Sequence, residues 1–262
     1  MGTEDVKAPP EKEGFGLEDR FTTLLFDGDD TPPGRGLRRL PCFTTLLFDG
    51  DDTLFDTTRN EELTLEALFQ EKGLPFDGQI LARYRAISRE MWAAFERGEM
   101  EKPQVQHGRF SRLVREMGYN MDTSSFFESF HRLGLQRLIL EPHALEVCRA
   151  LADGRRLYLI TNGTAAIQRP RLERTGLAPF FTDVFVSEEL GVQKPQPAYF
   201  EQVLRRTKAR PENVLVIGDS LTSDIAGANA ARLACCWYNK NRVQNTSSAR
   251  PDMEIYDLAE LL

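Results

Sequence analysis

The chain has 262 residues, 41% hydrophobic and 28% charged, and its 33 Lys and Arg against 40 Asp and Glu give a formal net charge of -7. That length accommodates a core domain and a smaller companion, and the acidic balance argues against a protein that coats nucleic acid. No stretch approaches the roughly 18 to 20 apolar residues of a spanning helix, and the four cysteines (Cys42, Cys148, Cys235, Cys236) form no CxxC pair, so buried reduced thiols in a cytoplasmic protein are expected rather than disulfides or a zinc site.

Residues 1–20 are rich in Glu, Lys, Pro and Gly, which predicts a disordered lead-in. Met1 to Glu13 is acidic and polar, so no secretory signal is expected there. Phe21–Thr31 and Phe43–Thr53 then spell the same eleven residues, FTTLLFDGDDT. Only one copy can fill a central strand. The first is followed by Pro32-Pro33-Gly34, which cannot start a helix, and the second by Leu54-Phe55-Asp56-Thr57 and a helical pattern. The second is therefore assigned the working role. The first reads as an extra edge strand, a disordered tail or an artefact of how the coding sequence was joined, and residues 1–42 as a poorly ordered extension.

From residue 59 to residue 140 the pattern is helical, with segments expected at Leu63–Gly73, Gly78–Arg97, Pro103–Met117 and Ser124–Leu138, the last with a break at Gly134. These form a bundle inserted between the first strand and the rest of a sheet. Residues 43–58 and 141–262 make the core. Here helices (His143–Ala152, Ala165–Thr175 with a kink at Pro170, Pro197–Lys208, Ile225–Ala231) alternate with strands (Leu157–Thr161, Val184–Val186, Val214–Gly218, Leu233–Trp237), and Ile255–Leu262 ends the chain in a helical turn. The fold class is α/β, a mostly parallel sheet with helices on both faces plus an inserted helical bundle.

Polar groups collect at the expected carboxyl ends of the strands, where open α/β sheets bind ligands. They are Asp49 and Asp51, Thr161 and Asn162, and Asp219 with Asp224; Lys194 lies in the loop Gly191–Pro195. Each has a plainer reading: an acidic turn, a helix cap, a surface lysine. Read together, the carboxylates suit Mg²⁺, a hard cation that takes oxygen ligands, and no Cys or His stands near to suit zinc. Lys194 offsets negative charge, and Thr161 and Asn162 open a helix start that can cradle an anion. This is a phosphoryl-transfer constellation. In it Asp49 attacks phosphorus, Asp51 acts as acid and then base, Asp219 holds the metal and Asp224 orients a metal-bound water or the lysine.

The pattern Asp49-Gly50-Asp51-Asp52-Thr53, then Thr161, then Lys194, then Gly218-Asp219 followed by Asp224, resembles the phosphatase branch of the haloacid dehalogenase superfamily. The resemblance implies a Rossmann-like core, a helical cap that closes over the site, and Mg²⁺ held by Asp49, Asp219 and the backbone carbonyl of Asp51. Gln104–Phe110, Ile160–Gly163, Arg171–Leu177, Ser187–Val192 and Cys236–Asn239 are most similar to the noncanonical pyrimidine 5′-nucleotidases. The substrate implied is a small phosphorylated metabolite, a pyrimidine nucleoside monophosphate. No nucleic-acid polymer or membrane is expected as partner, and the protein is expected as a monomer or small homo-oligomer. His107, Arg109, Trp92 and Phe95 are the candidate substrate contacts of the cap; for His107 a surface or core role, and for Trp92 and Phe95 a bundle-core role, stay open. Phosphoglycolate or sugar-phosphate hydrolysis, phosphoryl transfer within a sugar, and a catalytically silent scaffold are the alternatives.

Overall fold

The computed structural model describes residues 42–262, so the first FTTLLFDGDDT copy, Asp27 and the expected extension lie outside the described residues. Six strands form one sheet in the order β3-β2-β1-β4-β5-β6, and every neighbouring pair runs parallel. They are β1 (Thr45–Asp49), β2 (Arg156–Thr161), β3 (Phe181–Val186), β4 (Val214–Gly218), β5 (Ala234–Tyr238) and β6 (Met253–Ile255). The order reverses direction at β1, which makes the carboxyl ends of β2, β1 and β4 the ligand-binding edge of a Rossmann-like sheet.

The second copy of the repeat supplies β1, and all five of its residues are buried. Strand periodicity splits its apolar side chains between two layers. Leu46 and Phe48 pack with Leu157, Leu215, Val147 and Leu172 on one face. Leu47 packs with Ile160, Val216, Tyr199 and Phe200 on the other. Helices α5 (Ala144–Leu151) and α6 (Ala165–Arg174) cover the first face, and α8 (Pro197–Thr207) and α9 (Ala226–Ala230) cover the second. The short α7 is Ser187–Leu190.

The turn after β1 explains why this copy fits. The N–H groups of Leu54 and Phe55 both donate to Gly50 O, at 3.0 and 2.9 Å, and both side chains are buried. The corresponding positions of the first copy are Pro32 and Pro33, which have no N–H to give.

Between β1 and β2 stand α1 (Thr57–Glu71), α2 (Gly78–Glu96), α3 (Lys102–Glu116) and α4 (Phe126–Gly134). Asp56 caps α1 by accepting the Arg59 N–H at 2.9 Å. Asp77 caps α2 by accepting from Gln79 and Ile80. The bundle has its own core, centred on Leu68, Tyr84, Ile87, Phe110, Leu113 and Phe130. Its two linkers pair with each other: Asp56 N–H donates to Ile139 O at 3.0 Å and Glu141 N–H to Leu54 O at 2.9 Å. Lys240, just past β5, reaches Asp52 (3.2 Å), Asp56 (3.8 Å) and Glu141, and so ties both linkers to the core.

Some expectations need correction. The final helical turn begins at Leu258 rather than Ile255, and the unexpected strand β6 precedes it; three residues carry too little alternation to signal a strand. The helix expected from Ile225 is preceded by a π-helical turn, Leu221–Ile225. Cys148, Cys235 and Cys236 are buried thiols, but Cys42 is exposed. No helix among the described residues is long and apolar enough to cross a membrane.

Candidate active site

Asp49 is the last residue of β1, Thr161 the last of β2, and Asp219 follows β4 directly. Adjacent parallel strands in register therefore bring three distant parts of the chain to one edge. Lys194 enters from the loop before α8 and is 2% exposed. Its ammonium donates to Asp49 Oδ1 at 2.5 Å, Asp224 Oδ1 at 2.7 Å and Ile160 O at 3.3 Å. Burial works against this charge, but Asp224 and Asp49 outweigh it and hold the lysine above its ordinary value. Asn162 fixes the lysine backbone: its Nδ2 donates to Lys194 O and its Oδ1 accepts the Lys194 N–H, both at 2.9 Å. The side chain expected to bind phosphate is thus engaged in building the lysine loop. Thr161 Oγ1 accepts the Gly163 N–H at 2.9 Å and keeps its own proton to donate.

Oxygens of Asp49, Asp219 and Asp224 all lie within 4.8 Å of one another. Burial raises the Asp49 carboxyl, with Asp224 and Asp51 adding to the rise and Lys194 opposing it. Burial, Asp49 and Asp224 raise Asp219 in the same way. Crowded carboxylates of this kind ask for a cation. The donors are hard oxygens, neither Cys nor His takes part in the cluster, and magnesium fits them.

Asp51 stands apart from that cluster. Its Oδ1 accepts from Thr57 Oγ1 at 2.7 Å and Arg171 Nη1 at 2.5 Å, and its Oδ2 from Gln168 Nε2 at 2.7 Å. Burial would raise its carboxyl; Arg171 and these bonds prevail and hold it below the usual range.

All seven core residues singled out in the sequence line one cavity of about 390 Å³. Of the four cap candidates, Trp92 and Arg109 line it and His107 and Phe95 do not. His107 instead lies tilted against Phe127, with centroids 4.7 Å apart, and Phe95 is buried edge-on against Trp92 at 5.6 Å. Arg109 is 4% exposed, pairs with Glu61 at 3.2 Å, and lies among the rings of Tyr84, Phe110 and Phe130. Sequence reasoning missed Glu61, Glu96, Phe127, His131, Gln168 and Arg171, all of which line the cavity. A Gln and an Arg three apart on the helix after Asn162 share a face, and that spacing is the signal that was available for the last two. Cap and core meet through Gln106 Nε2, which donates to Thr164 Oγ1 at 2.9 Å, and Lys102 Nζ, which donates to Gly163 O at 2.7 Å.

A family model for haloacid dehalogenase-like hydrolases matches residues 43–232. The chain is 39% identical over 243 residues to YfnB of Bacillus subtilis, covering 92% of this chain and 94% of that protein. A crystal structure of YfnB bound to magnesium, which reveals interdomain movement, superposes with a TM-score of 0.79 over 84% of this chain and 96% of the other. The pyrimidine 5′-nucleotidase PynA of Streptococcus pneumoniae is 34% identical over 80% of this chain and 90% of its own. The pyrimidine 5′-nucleotidase YjjG of Escherichia coli is 31% identical over 75% and 87%.

Proposed function

The chain belongs to the haloacid dehalogenase-like hydrolases, and from that premise we propose that it hydrolyses pyrimidine nucleoside 5′-monophosphates. Its reaction class is magnesium-dependent phosphomonoester hydrolysis through aspartate residues. In the proposed division of labour, residues 43–58 and 141–262 carry the chemistry, residues 59–140 close over it as a cap, and residues 1–42 take no part.

Asp49 is the nucleophile. Its carboxylate forms a bond to phosphorus as the ester P–O bond breaks, and Asp51, ionised at rest, passes to the departing oxygen a proton it draws from solvent. Water then attacks the aspartyl phosphate, returns a proton to Asp51, and releases inorganic phosphate and free Asp49. Lys194 and the Thr161 hydroxyl hold phosphate oxygens, with the backbone at Asn162 and Gly163 closing the cradle. Asp49, Asp219 and the Asp51 carbonyl, with Asp224 behind, would hold magnesium, which would offset the charge of one anion approaching another.

The observation that carries the substrate class is the cap wall of the cavity. Trp92, Phe127, Phe130 and His131 line it, aromatic surface against which a base can pack. Arg109 is already paired with Glu61, and Glu96 lines the wall as well, so among the described lining residues of the cap no unpaired arginine or lysine meets a leaving group bearing its own carboxylate or a second phosphate. That favours a nucleoside over phosphoglycolate or a sugar bisphosphate. Similarity to PynA and YjjG supports the same reading.

The test is kcat/KM with Mg²⁺ for UMP and dTMP against phosphoglycolate and ribose 5-phosphate. Nucleotides are expected to lead by about tenfold or more, the scale set by a few contacts to the leaving group; parity would overturn the substrate class. Asp49→Asn should lower kcat by about 10³-fold or more, whereas Asp27→Asn should leave it unchanged.

A further inference from the structure

Arg171 and Gln168 have no part in the chemistry described above, yet both are buried and both aim at Asp51. Arg171 is 6% exposed and Gln168 2%. They sit three apart on one face of α6 and bond the two different oxygens of the same carboxylate. Arg171 also donates through Nη2 to Thr57 Oγ1 at 3.2 Å, and its guanidinium is backed by the Phe55 ring at 4.9 Å. Asp51 lies in an Asp-Gly-Asp-Asp turn just beyond β1, and the nearby Thr57, which also bonds its carboxylate, is itself held by Arg171.

The room for Gln168 comes from two glycines. A Cβ at Gly163 would stand 2.5 Å from Gln168 Nε2, and one at Gly50 would stand 3.3 Å from Gln168 Oε1. Glycine in the turn after β1 and glycine in the turn after β2 thus let one amide wedge between the two loops that carry Asp49, Asp51 and Thr161. Gln168 lines the cavity, and its buried Oε1 has no hydrogen-bond partner among the described residues.

We propose that Arg171 and Gln168 are positioning residues for the acid–base carboxylate: they hold Asp51 aside from the lysine and the metal cluster and aim it at the leaving-group oxygen. The proposal rests on the phosphomonoesterase reading above. It separates two cations by task. Lys194 serves Asp49 and Asp224; Arg171 serves Asp51. With Arg171 gone, Asp51 would be free to swing toward Lys194, a position from which it cannot meet the departing oxygen.

The experiment uses leaving groups that differ in their need for a proton. UMP leaves as an alkoxide and needs one; p-nitrophenyl phosphate leaves as a stabilised phenolate and does not. Single-turnover release of the leaving group, with the full chain in excess and Mg²⁺ present, isolates the step in which Asp51 acts as acid. Arg171→Met is expected to slow release from UMP by about 30-fold or more and from p-nitrophenyl phosphate by less than about threefold, within the usual range for loss of a general acid. KM for UMP should stay within about twofold. Arg171→Lys should recover part of the loss. Gln168→Leu, which removes one donor and no charge, should show the same selectivity at about fivefold, and it stands in if Arg171→Met does not fold. In an Asp51→Asn background, Arg171→Met should cost nothing further. Equal losses on both esters, no loss, or additive losses in the double variant would overturn the proposal while leaving the phosphatase reading intact. A wild-type chain inactive on both esters would bring down that reading and this proposal together.

Discussion

His131 shows how a cavity wall tunes a side chain. It lines the cavity next to Phe127, with ring centroids 3.9 Å apart. Burial first, then the positive charges of Arg109 and Arg171, push its pKa from 6.5 down to about 4. The ring is therefore neutral at physiological pH and adds no charge to the cavity wall. The same shift sets a pH dependence. Between pH 6.5 and about 4 the unfolded chain binds a proton that the folded chain refuses, so this residue's contribution to stability falls as pH falls through that window. Comparing urea midpoints of wild type and His131→Phe should show a constant difference above pH 6.5 and a progressive gain for the variant below it; the carboxylates common to both cancel. At this scale the sequence was readable where chemistry forces an unusual residue into a strand end. Asp49, Asp219 and Thr161 interrupt or close apolar runs and so announce themselves. Gln168, Arg171 and Phe127 sit within helices, where a polar or aromatic residue is ordinary and only the fold says which face looks inward.

Among the elements, the linkers between core and cap gather three carboxylates round one lysine. Asp52, Asp56 and Glu141 converge on Lys240, and Glu141 is 3% exposed. Burial raises the Glu141 carboxyl; the lysine opposes that rise. Tyr238 Oη also donates to Glu141, at 3.1 Å, but brings no charge. Lys240→Met should cost about 1 to 3 kcal/mol, the usual penalty for a buried group losing its partner, measurable by urea denaturation. Because the pivot of the cap is loosened, KM should rise more than kcat falls. None of this was visible in advance. Asp56 reads as a helix cap, which it also is, and Lys240 lies 99 positions from Glu141. The helices themselves were readable because their apolar spacing is long and regular, and Asp77 and Gly118 mark their ends. β6 was not, since three residues cannot establish an alternation.

For the molecule as a whole, the repeated segment poses a question of identity between two equal strands. The strand residues of both copies are the same, so the sheet cannot distinguish them through β1 contacts. The choice falls to the two residues after Thr53, whose N–H groups close the turn onto Gly50. Deletion of residues 1–41 should therefore leave kcat within about twofold and the thermal midpoint within a few degrees, the scatter of a neutral change. A large loss would show that the first copy contributes to the fold. Conversely, Leu54→Pro with Phe55→Pro should cripple the second copy, because it erases the turn bonds that favour it.

The pairing of the two linkers has a further consequence. Ile139 O and Asp56 N lie 3.0 Å apart, so the helical insert leaves and re-enters the core at nearly the same point. A segment attached that way behaves as a cassette: a short loop could bridge the gap, or a foreign bundle be grafted there, with no strand of the sheet disturbed. Lineages that exchange such inserts would inherit the chemistry intact and acquire a new appetite.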